Sequence, residues 1–390
     1  MTPTIRGLGL AATLVLVSTF TVVPKARAAS TPSTAAYVYI QIQGSAGAVY
    51  GLSASSTGQL SAIPSAPWKP SGLIVGSTPT KFFSLGADLI HSYGIASNGA
   101  ILSQLAEMPI LDYDGSGCGG GSTGQDGAVL DHTGKYIYVM LEGNLASEDC
   151  VAYQSYIVNS DGSFLFDGDT ELDWEPYGGY QAGLPSILGS ESFAYSQYLY
   201  NSGPQIMGFR RESSGTLDLL SDLQINTPTS SGQGYVPTNP DASPAGNYVV
   251  IQLYPEDAPP GQLGSFTVNS EGNLSSTNTA SNMPTTPFSS VTGTTFSPSG
   301  NMFVIYSNSG TGTGLGIEIY NFNGAAPLTA YKTLLSGTPI DQVAWDSSNH
   351  LYAISKSGNE LYVFTVTPTS VTQDASWSIG SPYKMVVVSE

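Results

Sequence analysis

Four decapeptides in this chain can be laid over one another: "DHTGKYIYVM" from Asp131, "SPAGNYVVIQ" from Ser243, "SPSGNMFVIY" from Ser297 and "DSSNHLYAIS" from Asp346. Each starts with Asp or Ser, has Gly or Asn at its fourth position, and continues into β-branched and aromatic residues. Gly and Asn tolerate a positive φ, so the first four residues read as a tight turn and the rest as a strand. Weaker copies are "AAYVYIQI" from Ala35, "TPTKFFSL" around Thr80 and "ESFAYSQY" from Glu191. Anchored on Ala35, Thr80, Gly134, Glu191, Gly246, Gly300 and Asn349, the copies are spaced by 45, 54, 57, 55, 54 and 49 residues. A period near fifty with several strands per unit is the signature of a propeller blade.

Each unit has the same internal order. An inner strand precedes the turn ("VTGTTF" from Val291), the anchored strand follows ("MFVIY" from Met302), a third strand comes later ("GIEIYNF" from Gly316), and a weaker fourth segment closes the unit. The anchored strands are apolar at consecutive positions, as strands buried on both faces must be. The first unit lacks an inner strand, and "YKMVVVS" from Tyr383 is left over after the last. The C-terminal strand therefore completes the first blade, which removes the open sheet edge. The expectation is an all-β fold: a single seven-bladed β-propeller of four-stranded blades, its ring closed by the C-terminal strand in the first blade. Gly and Pro, at 45 and 25 residues, favour such short strands and turns over helices.

Residues 1–28 read as a signal peptide, with Arg6 before an apolar run from Leu8 to Val23 and a small-x-small site at Ala26-Arg27-Ala28. The run is short for a membrane span and no second one follows, so no membrane insertion is expected after cleavage. Residues 29–390 are then the propeller, secreted or periplasmic. Without the leader the chain keeps eight bases against 29 acids, a net charge of −21. That balance repels nucleic acid and anionic membranes, and suits neutral or cationic partners.

The repeat also places the histidines. His132 stands where sister units have Pro244, Pro298 and Ser347, which makes it a turn corner rather than a catalytic base. His350 follows the turn of the last unit, and His91 falls on a third strand. The match of residues 120–124 to G-x-S-x-G lacks the strand-before, helix-after context that a nucleophilic Ser122 needs.

The turn-and-strand units "SPSGNMFVIYSN" and "SPAGNYVVIQLY", third strands such as "NELYVFTV" and tails such as "SEGNLSS" resemble the seven-bladed lactonase propellers, the fold of the propeller-type 6-phosphogluconolactonases. The resemblance covers nearly the whole chain after the leader. It implies His, Glu and Arg around a central channel in the enzymatic members. Here no inner strand contains histidine, and the arginines beyond the leader, Arg210 and Arg211, are neighbours on a third strand and should point to opposite faces. The inner strands offer Asp341 and, nearby, Asp241 as the candidate catalytic acids.

Three further features sit between strands. Cys118 and Cys150 fall in connections of the same face, and an exported pair of cysteines reads as a disulfide. Residues 107–175 hold 14 of the 29 acids and one base, Lys135. Asp112, Asp114, Asp167, Asp169 and Glu171 are the candidate metal ligands, since clustered carboxylates with Gly and Ser carbonyls suit calcium; the alternative is a solvated acidic face. Trp68, Tyr113, Trp174, Tyr177 and Tyr180 are the candidate binding residues, their rings suited to stacking on sugars; the alternative is that they fold back over the blade ends. The functional expectation is an exported, non-catalytic propeller offering a loop-built face to a glycan, a peptide or an envelope protein. The second reading is a lactonase-type hydrolase with a divergent site.

Overall fold

In a computed structural model, the described residues are 33–43, 47–86, 88–111, 125–145, 148–175, 181–200, 203–226, 235–255, 260–310 and 314–390. They form seven antiparallel sheets around a central axis. Blade 3 shows the pattern: Gln125–Leu130 innermost, then Tyr136–Leu145, Glu148–Val158 and Phe164–Glu175 outermost. Blades 2, 6 and 7 repeat it, starting from Leu73–Thr78, Gly293–Phe296 and Gln342–Trp345. Blade 4 has two short inner segments, Gln181–Ala182 and Ser186–Ile187. Blade 5 starts from Tyr235–Ala242 and carries Ile225–Asn226 as an added parallel strand at its outer edge. Pro382–Ser389 is the inner strand of blade 1 and pairs antiparallel with Thr34–Ile42, from Ala36↔Ser389 to Ile42↔Pro382. The ring is closed by both ends of the described chain, as the left-over strand requires.

The repeat turns have a physical cause. The fourth position is left-handed in five blades: Gly134 (φ 70°), Glu191 (59°), Gly246 (86°), Gly300 (68°) and Asn349 (67°). In four of the five the first position caps the turn with its side chain. Asp131 Oδ1 accepts from the backbone N–H of Lys135 and Tyr136 at 2.9 and 3.0 Å. Asp346 Oδ1 accepts from Ser348 and His350 at 2.9 Å each, and Ser297 Oγ accepts from Met302 at 3.1 Å. A short side chain with an acceptor oxygen closes this ring, which is why Asp or Ser stands there in four blades; blade 4 has Leu188 and makes the turn through its backbone. The copy around Thr80 differs: Leu73–Thr78 and Lys81–Leu85 are joined by a two-residue turn.

Blades are joined by a second repeated device. Tyr39, Tyr138 and Tyr195, on second strands, donate to the carbonyls of Gly99, Gly215 and Gly272 in the outer hairpin of the next blade, at 2.8, 2.7 and 2.7 Å. Ser92 reaches Gly162 at 2.6 Å and Ser265 reaches Gly324 at 2.5 Å in the same way. A left-handed glycine swings its carbonyl toward the neighbour and leaves no Cβ in the way. At Gly215 (φ 111°) a Cβ would lie 2.0 Å from the ring of Tyr136, two residues before Tyr138. One aromatic thus covers the glycine while the next bonds its carbonyl.

The structure corrects one local expectation. Asp167, Asp169 and Glu171 do not belong to a loop but to the outer strand Phe164–Glu175. Its inward residues supply the reason: Phe164 and Phe166 pack on one core cluster, Leu172 on the next, and Thr170 is buried. Burial of these side chains overrides the poor strand propensity of "DGDTE".

Gly215→Ala should lower stability by about 2–4 kcal/mol through strain and overlap with Tyr136, and Tyr138→Phe by about 1–2 kcal/mol through an orphaned buried carbonyl. Denaturant melts of both variants check this; a Gly215→Ala melt matching the parent refutes the joint.

Candidate functional site

The turns between inner and second strands and the outer hairpins emerge on one face, the turn face. The second-to-third and blade-to-blade connections emerge on the other, the loop face. The inner strands bound a channel between the two. Pro185, Ile187, Asp241 and Phe296 line part of its turn-face mouth, and Asp341, Asn308 and Lys356 lie in a hollow on the loop face.

Asp241 is placed by a bulge. The register of Tyr235–Ala242 against Tyr248–Pro255 shifts between Thr238 and Asp241, and Asn239 is left-handed at φ 47°. Two glutamines brace it. Gln197 Oε1 of blade 4 accepts from Asn239 N–H at 3.0 Å, and Gln252 Oε1 accepts from Asn239 Nδ2 at 2.9 Å. Bulges re-aim side chains, and Asn is one of the few residues that accept the left-handed φ this one uses. The Asp241 carboxylate then lies between blades. Ser186 Oγ of blade 4 donates to Oδ1 at 3.0 Å and itself accepts from Ala242 N–H at 2.8 Å. Thr294 of blade 6 stands beside the carboxylate. Oδ2 is closed off from solvent, and no donor among the described residues bonds it. Burial, only partly offset by Ser186, Thr294 and the Ala242 N–H, pushes the carboxyl up to about 6.

Asp341 is held differently. Its Oδ1 accepts from Asn308 Nδ2 at 3.1 Å and its Oδ2 from Lys356 N–H at 2.6 Å. Tyr306 of blade 6 lies within the field of both acids, and its hydroxyl passes over Gly293, where a Cβ would be 2.3 Å away. Burial first, then Asp241 and Asp341, hold that phenol in its neutral form. Lys384, on the inner strand of blade 1, is lowered by burial below the ordinary lysine range. The sequence singled out Asp241 and Asp341 but not Tyr306, which reads there as one more aromatic of a second strand.

The arginines stay outside the channel. Arg211 is buried and bonds Asp131 at 2.9 Å and Glu191 at 2.7 Å, with its guanidinium 4.4 Å over the Tyr136 ring. Arg210 points the other way, exposed, over Phe193. His132 is a turn residue, 3.3 Å from Glu191 Oε1. His350 is buried and bonds Asp346 Oδ2 at 2.7 Å beside Tyr352; that bond raises its pKa against the opposing effect of burial. His91 is buried on the third strand of blade 2.

Trp68 lies half-buried on the loop face, against the Cα of Gly51 and 6.3 Å from the Tyr39 ring. Asp112, Tyr113, Asp114, Cys118, Ser122, Tyr177 and Tyr180 lie outside the described residues. Cys150, Glu171 and Trp174 sit on described strands, but their side chains lie outside the description. Asp167 accepts from Thr216 Oγ1 of blade 4 at 2.8 Å. Among the described residues no group of three or more His, Cys, Asp or Glu is placed to hold a metal ion.

Asp241 carries a pH prediction. An unfolded aspartate titrates near ~3.9, so between there and about 6 the folded chain binds the extra proton. Stability should therefore fall as pH rises through that window, and the penalty should persist above it. Asp241→Asn should remove this slope and stabilise the fold at pH 7 by about 1–3 kcal/mol, the lower figure reflecting solvent at the channel mouth. Denaturant melts between pH 4 and 8 check it; a parallel slope in the variant refutes it.

No protein-family model and no curated protein matches the sequence. Solved structures do match. A candidate 6-phosphogluconolactonase from Bacteroides fragilis superposes with a TM-score of 0.62 at 15% identity, over 92% of this chain and 99% of that one. A second, from Bacteroides uniformis, gives 0.63 at 13%, over 91% and 100%. Apo AztD from Citrobacter koseri gives 0.54 at 11%, over 92% and 98%. The chain thus has, over its whole ring, the seven-bladed β-propeller fold that the sequence resembles, shared with the candidate 6-phosphogluconolactonases as a divergent relative in fold.

Proposed function

We propose that the chain is an exported, non-catalytic binding propeller that takes a glycan, or a peptide or envelope partner, on its loop face. The observation that carries this reading is the asymmetry of the two faces. On the turn face the connections are short and alike: 79–80, 131–135, 188–192, 243–247, 297–301 and 346–349 between inner and second strands. Among the described residues the long connections, 63–72 and 276–292, both belong to the loop face. Short turns serve the fold, whereas long connections on a rigid scaffold are where binding residues concentrate.

The placement of the cations supports binding over phosphosugar hydrolysis. A phosphorylated lactone needs convergent positive groups, and Arg211 is committed to Asp131 and Glu191 while Arg210 stands on the rim. In this reading Trp174, Tyr177 and Tyr180 present rings to the ligand. A Cys118–Cys150 disulfide ties 112–124 to blade 3, and calcium, where it binds, is held by the acids of 112–114.

The Trp174→Ala/Tyr177→Ala double variant should lose at least about tenfold in affinity for an immobilised polysaccharide that the parent retains, with an unchanged melting temperature. Equal retention by parent and variant overturns the role of these rings. Turnover of 6-phosphogluconolactone or unphosphorylated δ-gluconolactone by the parent would overturn the non-catalytic reading in favour of a lactonase.

A further inference from the structure

Asp241 is a channel carboxylate with one oxygen left unbonded among the described residues. Ser186 serves Oδ1, while Oδ2 is buried and bonded by no donor among the described residues. No Lys, Arg or His among the described residues pairs with this carboxylate. A buried, uncompensated carboxylate costs stability, and here a left-handed Asn239 and two braced glutamines are also spent on holding it in place. Its neighbours are the hydroxyls of Ser186 and Thr294, acceptor oxygens without charge, and the Tyr306 phenol lies within the carboxylate's field. The mouth is lined by the apolar Val129, Pro185, Ile187 and Phe296, and also by His132 and by Asp131, which is paired with Arg211.

We propose that this part of the channel binds the ammonium group of a small organic monocation, with Asp241 as counter-charge, Tyr306 as a second acceptor and the apolar mouth around the alkyl part. A primary ammonium has three donors and needs one carboxylate with a few neutral oxygens, which is what the site holds. Calcium would want six to eight oxygens, and the described residues offer no cluster of three acids, cysteines or histidines anywhere. A bare alkali ion would have no use for the apolar walls. The net charge of −18 draws cations toward the ring from every side. Lys356, the nearest cation of the loop-face hollow, is turned over the Tyr383 ring, 5.8 Å from its centre.

The test is calorimetric titration of the whole chain with methylammonium and n-butylammonium chloride at pH 8 and fixed ionic strength, with potassium chloride as comparison. Expected is saturable binding of both amines, n-butylammonium tighter by about threefold or more, from the alkyl part it buries. Asp241→Asn should weaken both by at least about tenfold while melting no lower than the parent. Tyr306→Phe should weaken both severalfold, and Asp161→Asn, in an exposed turn, should bind as the parent does. Tyr306→Phe keeps the proposal testable should Asp241→Asn misfold. Absence of saturable binding, potassium binding as tightly as the amines, or a folded Asp241→Asn binding like the parent overturns the site.

Discussion

The ring depends on a hydrogen bond that crosses from blade to blade. A hydroxyl on one blade reaches the carbonyl of a left-handed glycine in the outer hairpin of the next, at Tyr39, Ser92, Tyr138, Tyr195 and Ser265. Each bond is worth only about 1 kcal/mol net. Its weight is geometric, because a buried phenol without a partner is costly. Neighbouring blades must therefore sit at one angle and one depth, or several hydroxyls and carbonyls lose their partners together. The flat packing of Tyr136 on Gly215 and of Phe193 on Gly272 adds contact at the same joints. Wherever the joint holds, the inner strands converge and a channel of fixed width follows.

The fold was legible because its punctuation is local. A capping Asp131, Ser297 or Asp346, followed by a left-handed Gly134, Gly300 or Asn349, writes a turn within a few residues of sequence. Four such turns and three weaker copies, at a spacing near fifty, count the blades, and the surplus strand at 382–389 announces the closure. The inter-blade joint was visible only in part. The aromatic pairs at alternate positions of second strands are plain in "YVY" and "YIY", but their glycine partners lie sixty or more residues away. Nothing local links Tyr138 to Gly215.

The site was less legible for the same reason. Asp241 stood out as an acid in a strand of small and apolar residues, yet its character comes from elsewhere. The bulge at Asn239 is braced by Gln197 of blade 4, and the neighbours of the carboxylate, Ser186 and Thr294, come from blades 4 and 6. Tyr306 is drawn in from a second strand across Gly293. The outer strand of blade 3 misled in the opposite direction. "DGDTE" reads as a loop by propensity, and only the burial of Thr170 and Leu172 against blade 4 makes it a strand.

The handling of charge separates structural groups from the candidate site. On the turn face the buried charged groups Arg211, Asp131 and Asp346 each have a specific partner. Arg211 takes Asp131 and Glu191, Glu191 also meets His132, and Asp346 takes His350 and Tyr352. These networks brace turns, and their pairing leaves them little capacity for a ligand. At the loop-face end, Asp341 is satisfied by Asn308 and by the backbone of Lys356. Asp241 is handled differently: a bulge sets its carboxylate beside hydroxyls, and no Lys, Arg or His among the described residues pairs with it. In the proposed site the counter-charge for this carboxylate comes from outside the chain.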